Sequence, residues 1–336
     1  MDFIKDLIHQ TPVTATRKGH FWITGKREVY NEYHYQPTAI FVTWEAPEVL
    51  RHPDPIILIH GGLLQSTEWM TTPDGRPGWQ QRLVEQGYIV FNVDRVGHGR
   101  SHTSEKLWGK TGIPFSYETG KAVFFPDYLK TKHTQWPIDE TDEEAYDAFI
   151  APFTALPADL PTSQQKDSEL IGKLLKKTGP AILFTHSASG PIGWHLADEQ
   201  RNWVKAIVTV EPMGPAFADI HGIGKLEWGW TSYPLKYNHH FKDIDSFKDF
   251  GLENIIVPSF GDLKVAMVLG EASPFTHYAA SLAQFLQKSN ASLEVIDLAK
   301  KGILGNGHGL IYEKNSDAAL QPVLRWLDKF FPPILE

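Results

Sequence analysis

Ala181–Gln200 reads AILFTHSASGPIGWHLADEQ, and most of what can be learned about the fold follows from this stretch. AILFT is a short apolar run of strand length, and PIGWHLADEQ is an amphipathic segment with proline suited to the first turn of a helix. The serine between them, Ser187, stands where a strand bends sharply into a helix, the geometry of a nucleophile elbow that exposes Oγ above a sheet edge. The bend brings strand and helix together, so small residues are needed two places to either side. Here they are Thr185 and Ser189, which leaves Thr185 as the departure from the usual glycine. Gly190 and Gly193 let the helix pack closely, and a helix N-terminus favours developing negative charge. A serine before a helix is also a common N-cap, so the partners of Ser187 must decide its role.

Outward from this unit, short apolar runs alternate with amphipathic stretches, which predicts a largely parallel sheet flanked by helices. The strands are expected at Pro55–His60, Tyr88–Val93, Ala181–Thr185, Val204–Val210, Val265–Leu269 and Leu293–Leu298. Helices are expected at Gly78–Gln86, Asp167–Lys177, Pro191–Arg201, Thr276–Lys288 and Asp317–Phe331. The first 50 residues, with FWITG and AIFVTW, read as antiparallel strands at the sheet edge. Residues 102–166 and 213–262 break the alternation and are expected to be lid insertions over one end of the sheet.

The strand PIILIH exits into Gly61–Gly62. Side-chain-free backbone lets amide groups approach a substrate oxygen, and an oxyanion hole needs two such donors. Gly62 and Ala188, the residue after the serine, are the candidates. The next strand ends in DRVGHGRS (Asp94–Ser101), which shapes a scaffold turn and is given no catalytic role.

The order HGG, DRVGHGRS, HSASG resembles the α/β-hydrolase superfamily. The block Trp69–Trp79, WMTTPDGRPGW, resembles the esterase 713-like subfamily of serine esterases. The resemblance runs from about Pro55 to Phe331. It implies an α/β-hydrolase fold, a mostly parallel doubly wound sheet with helices on both faces, in a single domain spanning 1–336.

In such a fold the base follows the last strand. His308 sits there, between the Leu293–Leu298 strand and the terminal helix, in a loop whose Gly305, Gly307 and Gly309 would let the imidazole swing. Of 15 histidines it alone holds that place. The acid is less clearly marked. The turn after Val265–Leu269 reads VLGEAS (Val268–Ser273), with Ser273 where an aspartate would stand. Glu211 ends the strand before it, at a sheet edge where a carboxylate is costly unless paired. The subfamily resemblance also implies a glutamate at this site, so Glu211 is favoured. Glu271 and then Asp262 are the alternatives.

Ser187, His308 and Glu211 together predict a carboxylic ester hydrolase, a serine esterase or lactonase working through an acyl-enzyme on a small to medium hydrophobic substrate. The same residues would serve acyl transfer, lactonisation or C–C cleavage, and a non-catalytic binding protein is the remaining alternative. Five aromatics within fourteen residues, Trp228, Trp230, Tyr233, Tyr237 and Phe241, are expected either to line the substrate pocket or to pack the second insertion onto the core.

Composition narrows the rest. Cysteine is absent, which excludes disulfides, thiolate zinc and a cysteine nucleophile. A net charge of −8 with interspersed signs argues against nucleic-acid and anionic-membrane partners. His239–His240 lack metal-ligand spacing, and HGIGKLEWG (His221–Gly229) lacks a dinucleotide-binding context, so no metal or cofactor is expected. MDFIKDLIHQTPVTATRKG (Met1–Gly19) does not read as a secretory signal, and the chain is expected to be cytoplasmic. The expected partner is a small-molecule ester or lactone, with a homodimer left open.

Overall fold

The structure is a computed structural model that describes residues 14–139, 141–156 and 159–334; most of the terminal stretch read for a secretory signal lies outside them. The central sheet has eight strands: β1 (Thr16–Thr24), β2 (Ala39–Pro47), β3 (Ile56–Ile59), β4 (Val90–Asp94), β5 (Ala181–His186), β6 (Val204–Val210), β7 (Lys264–Leu269) and β8 (Ser292–Asp297). Their order is β1-β2-β4-β3-β5-β6-β7-β8. β1 pairs antiparallel with β2 and β2 with β4, while every pairing from β4 to β8 is parallel.

Period-two alternation sends successive side chains to opposite faces of this sheet. Ile57, Ile59, Leu183, Ile207 and Met267 pack under α2 (Leu160–Thr178), α3 (Gly190–Glu199) and α4 (Ala279–Lys288). Ile56, Leu58, Ile182, Phe184 and Val208 pack under α1 (Trp79–Glu85) and α5 (Ser316–Phe330). Because the central strands are fully buried, they read as continuous apolar runs, the pattern of parallel strands covered on both sides.

One helix begins earlier than its periodicity suggests. α2 starts at Leu160 rather than Asp167, with Pro161 in its first turn. Its first two turns bury Ser163, Gln164 and Asp167 beside Leu160, so the inward face is mostly polar there and its apolar signal is weak.

The two insertions go to different places. Residues 102–156 carry short helices at Tyr117–Phe124 and Glu143–Ile150; Phe124, Trp136, Phe149 and Ile150 pack with Leu310, Ile311 and Tyr312 of the final loop. Residues 213–262 lie mainly against the α3–α4 side, where Trp230, Leu235, Phe241, Phe247 and Ile255 extend the core. Among the described residues no helix is long and apolar enough to cross a membrane.

Parallel strands deliver their C-terminal ends to a single edge. The loops after β3, β5, β6, β7 and β8 therefore meet there, the usual place for a site in this architecture.

Candidate active site

The elbow forms as the sequence suggests. Ser187 follows β5 with φ of +53°, a left-handed conformation for a non-glycine residue, and a 3-10 turn over Ser187–Ser189 leads into α3. Ser189 Oγ accepts from the His186 N–H at 2.8 Å and donates to the Ile59 carbonyl at 2.9 Å, sewing the turn to β3. Thr185 fits because the helix opposite it has no side chain: a Cβ on Gly193 would come within 3.1 Å of Thr185 Cγ2. Its buried hydroxyl bonds Thr209 Oγ1 at 2.9 Å.

His308 Nε2 lies 3.0 Å from Ser187 Oγ. On its far side, His308 Nδ1 is 3.7 Å from Glu211 Oε2, beyond hydrogen-bond length but in direct line of charge. Glu211 follows β6 in a left-handed conformation, φ +48°. The Gly270 N–H donates to its Oε1 at 2.5 Å, and the Ser273 hydroxyl donates to Oε2. Ser273, at the place expected of an aspartate, thus holds the glutamate that reaches across from the neighbouring strand. Glu271 accepts from the Gly305 N–H at 3.0 Å, supporting the His308 loop from outside. Asp262 precedes β7, at the opposite end of the sheet, and its N–H donates to the Asn290 carbonyl.

Burial dominates the electrostatics. It pushes the Glu211 carboxyl up to about 8, against the donors from Ser273 and Gly270 that favour the carboxylate. It pulls His308 well below the ordinary imidazole value, reinforced by the charge of His186. Each group alone resists ionisation; an imidazolium and a carboxylate facing one another stabilise each other. A proton arriving on His308 would therefore be stabilised by Glu211 only while Glu211 is in its ionised form.

The glycines of the base loop serve another purpose than the swing expected of them. A Cβ on Gly307 would lie 2.8 Å from the His133 ring, and one on Gly309 would lie 2.9 Å from Trp136. The first insertion presses directly on this loop, and only glycine leaves room. Backbone bonds fix it further, from Gly307 N–H to Glu313 at 2.8 Å and from Ala272 N–H to the Asn306 carbonyl at 2.7 Å.

Gly62 and Ala188, the expected oxyanion donors, lie side by side: a Cβ on Gly62 would come 3.0 Å from that of Ala188. The loop is anchored through Gly61, whose N–H donates to Glu68 Oε2 at 2.6 Å and whose carbonyl accepts from Arg95 Nη1 at 3.1 Å. Arg95 is itself held by buried Asp167 at 2.9 Å. The sequence pattern marks the turn containing Arg95 as scaffold without a catalytic role and singles out neither Glu68 nor His186. Neither carries a local signal, because a charged residue in a polar turn reads as solvated until packing encloses it. The WMTTPDGRPGW block folds as a bonded turn that ties α1 to the start of α5, through Arg76 to the Glu313 carbonyl at 2.9 Å and Trp79 Nε1 to the Ser316 carbonyl at 3.1 Å.

The cavity at Ser187 and His308 is about 40 Å³ and strongly apolar. Phe115, Val123, Phe124 and Phe153 of the first insertion wall it, with Met213, Ile220 and Ile223 from the start of the second and Phe275 after β7. A neighbouring cavity of about 280 Å³, between Thr71–Pro73 and Ala145–Phe149, shares Leu64 as a wall. The expected pocket residues Trp228, Trp230 and Tyr233 line neither, which corrects that reading. Trp230 is 2% exposed and packs on Tyr278 and Phe285. Tyr233 stacks flat on His195 at 3.5 Å, and Trp228 packs on Phe247 at 5.2 Å. Their segment is drawn down to cover α3 and α4, so its apolar surface completes the core.

An eight-stranded, mostly parallel sheet with a serine on a strand–helix elbow and a histidine delivered by the last loop defines an α/β-hydrolase. The chain belongs to the alpha/beta hydrolase family, whose model matches residues 56–321. It is 31% identical to a probable secreted lipase, phiG, of a fungal species, over 98% of this chain and 99% of that protein. A bacterial esterase of known structure superposes with a TM-score of 0.67 at 22% identity, covering 95% of this chain and 98% of the other. The esterase Est22 is more distant, with a TM-score of 0.50 at 10% identity over 96% of this chain and 83% of that one. Family membership and the lipase relative support a hydrolase.

Proposed function

We propose that the protein is a serine esterase that cleaves a carboxylic ester or lactone with an apolar acyl portion, using Ser187, His308 and Glu211. The observation that carries this reading is the 3.0 Å contact of His308 Nε2 with Ser187 Oγ in an apolar cavity, with buried Glu211 behind His308. Glu211 sets the tautomer of neutral His308, which takes the Ser187 proton as Oγ attacks the carbonyl carbon, and then stabilises the imidazolium. The amides of Gly62 and Ala188 receive the charge on the former carbonyl oxygen. His308 returns the proton to the leaving alkoxide, the alcohol departs, and the acyl-enzyme is hydrolysed by water that His308 activates in turn.

The resemblance of the WMTTPDGRPGW block to the esterase 713-like subfamily supports this assignment, as does the glutamate at Glu211. The cavity at Ser187 is small, about 40 Å³, and Phe115, Val123, Phe124 and Phe153 wall it, so a larger substrate would displace the first insertion. That makes the first insertion the lid.

A fluorophosphonate probe tests the reading. Mass spectrometry should find one adduct, on the peptide containing Ser187, and Ser187→Ala should lose both the adduct and about 10⁴- to 10⁶-fold in kcat. Labelling elsewhere, or activity that survives the substitution, refutes it.

A further inference from the structure

Beneath the site lies a second acid–histidine pair that the reaction scheme does not use. His186 and Glu68 are both buried, and their side chains meet at His186 Nδ1 and Glu68 Oε1. The other ring nitrogen, His186 Nε2, lies 3.1 Å from the backbone carbonyl of His308. The second carboxyl oxygen, Glu68 Oε2, accepts from the Gly61 N–H at 2.6 Å. His186 therefore has an acceptor at each nitrogen. A neutral imidazole can donate from only one of them, whereas an imidazolium donates from both.

We propose that His186 is a buried imidazolium paired with Glu68, a positioning unit that locks the oxyanion loop, the elbow and the base loop together and holds a fixed positive charge beside His308. The proposal rests on the esterase reading for its catalytic consequence. Its structural basis is that one pair of side chains contacts all three loops: Gly61 after β3, His186 next to Ser187, and His308 after β8. The His186 and His308 rings stack at 4.8 Å, so the charge acts on the base at close range.

The other groups around His186 are consistent with a cation. Tyr312 meets the ring edge-on at 6.3 Å, and Glu211, which follows β6, adds negative charge only once it ionises, near pH 8. His60, at the end of β3, has its Nε2 accepting from the Arg95 N–H and is held neutral by burial and by the charges of Arg95 and His186. For His186 itself burial works against the charge, but Glu68 and the His308 carbonyl outweigh it and raise its affinity for a proton. The charge opposes a second one on His308, which keeps the base free to accept the serine proton at lower pH.

The test is NMR of the wild-type protein labelled with ¹⁵N-histidine, compared with Glu68→Gln and His186→Asn. The wild type should show His186 protonated on both nitrogens at pH 7.5. Both variants should move the acid limb of kcat/KM upward by about one pH unit, with kcat reduced roughly tenfold and KM little changed. A neutral His186 in the wild type overturns the proposal, and so does an unshifted acid limb in folded variants. If neither variant folds, the wild-type spectrum decides alone. The spectrum needs no turnover, so failure of the esterase reading would appear separately, as loss of Ser187 labelling.

Discussion

Replacing Glu211 with glutamine separates catalysis from stability. The carboxyl now accepts from the Gly270 N–H and the Ser273 hydroxyl, one on each oxygen. An amide has one oxygen, so its NH₂ must face one of these donors. Losing a hydrogen bond to a buried charged group costs about 1.5–3 kcal/mol. Burial acts in the opposite direction. A carboxyl raised from 4.5 to about 8 destabilises the folded chain by roughly 4–5 kcal/mol once fully ionised, and glutamine removes that cost. The sign follows from proton counts: between these values the folded chain binds more protons than the unfolded one, so this group's contribution to stability falls as pH rises. Glu211→Gln should therefore gain stability relative to wild type on going from pH 5 to pH 8, read as the difference in Tm across that range. Catalysis has no such compensation, because the amide neither stabilises the imidazolium nor selects its tautomer. kcat should fall by about 10³- to 10⁴-fold on p-nitrophenyl esters, a loss of roughly 4–5.5 kcal/mol in transition-state stabilisation. A kcat within tenfold of wild type, or a crippled Glu271→Gln beside a mild Glu211→Gln, refutes the assignment.

The acid limb of kcat/KM should lie below the ordinary imidazole range, since burial and His186 hold His308 neutral; a limb at or above pH 6.5 in a stopped-flow pH profile contradicts this. Phe124→Ala enlarges the Ser187 cavity and should extend the longest acyl chain accepted. Trp230→Ala should leave the acyl-length profile unchanged while costing about 3–5 kcal/mol in urea unfolding. An acyl profile that follows Trp230 instead would return the second insertion to the pocket. Gly307→Ala drives a methyl to 2.8 Å from the His133 ring, so it should displace the base loop and cut kcat at least tenfold with KM little changed; wild-type kinetics would show that the loop can yield.

Local pattern was enough for the sheet and its chemistry-bearing turns. Buried parallel strands must be apolar throughout, and a strand–turn–helix must supply small residues where its backbones meet, so Ala181–Gln200 announces itself in the sequence. His308 was legible as a candidate because topology leaves a base one place, after the last strand, and the fold brings it to 3.0 Å from Ser187 Oγ. Ser273 in an aspartate's position pointed to Glu211, yet only the folded chain brings Ser273 and Gly270 onto that carboxylate. The roof depended on tertiary structure. Trp228, Trp230 and Tyr233 have the composition of a pocket wall, but aromatic side chains are equally stable in a core and beside a ligand. Which insertion covers Ser187 is set by where its ends leave the sheet and what apolar surface lies beneath. The Glu68–His186 pair is hidden for a related reason: its partners lie 118 positions apart, and a charge in a loop looks solvated until packing encloses it. The sequence by itself determined the strands, the elbow and the residue types available for chemistry. Long-range packing alone decided which side chains meet, because burial and distance arise only when distant segments close on one another.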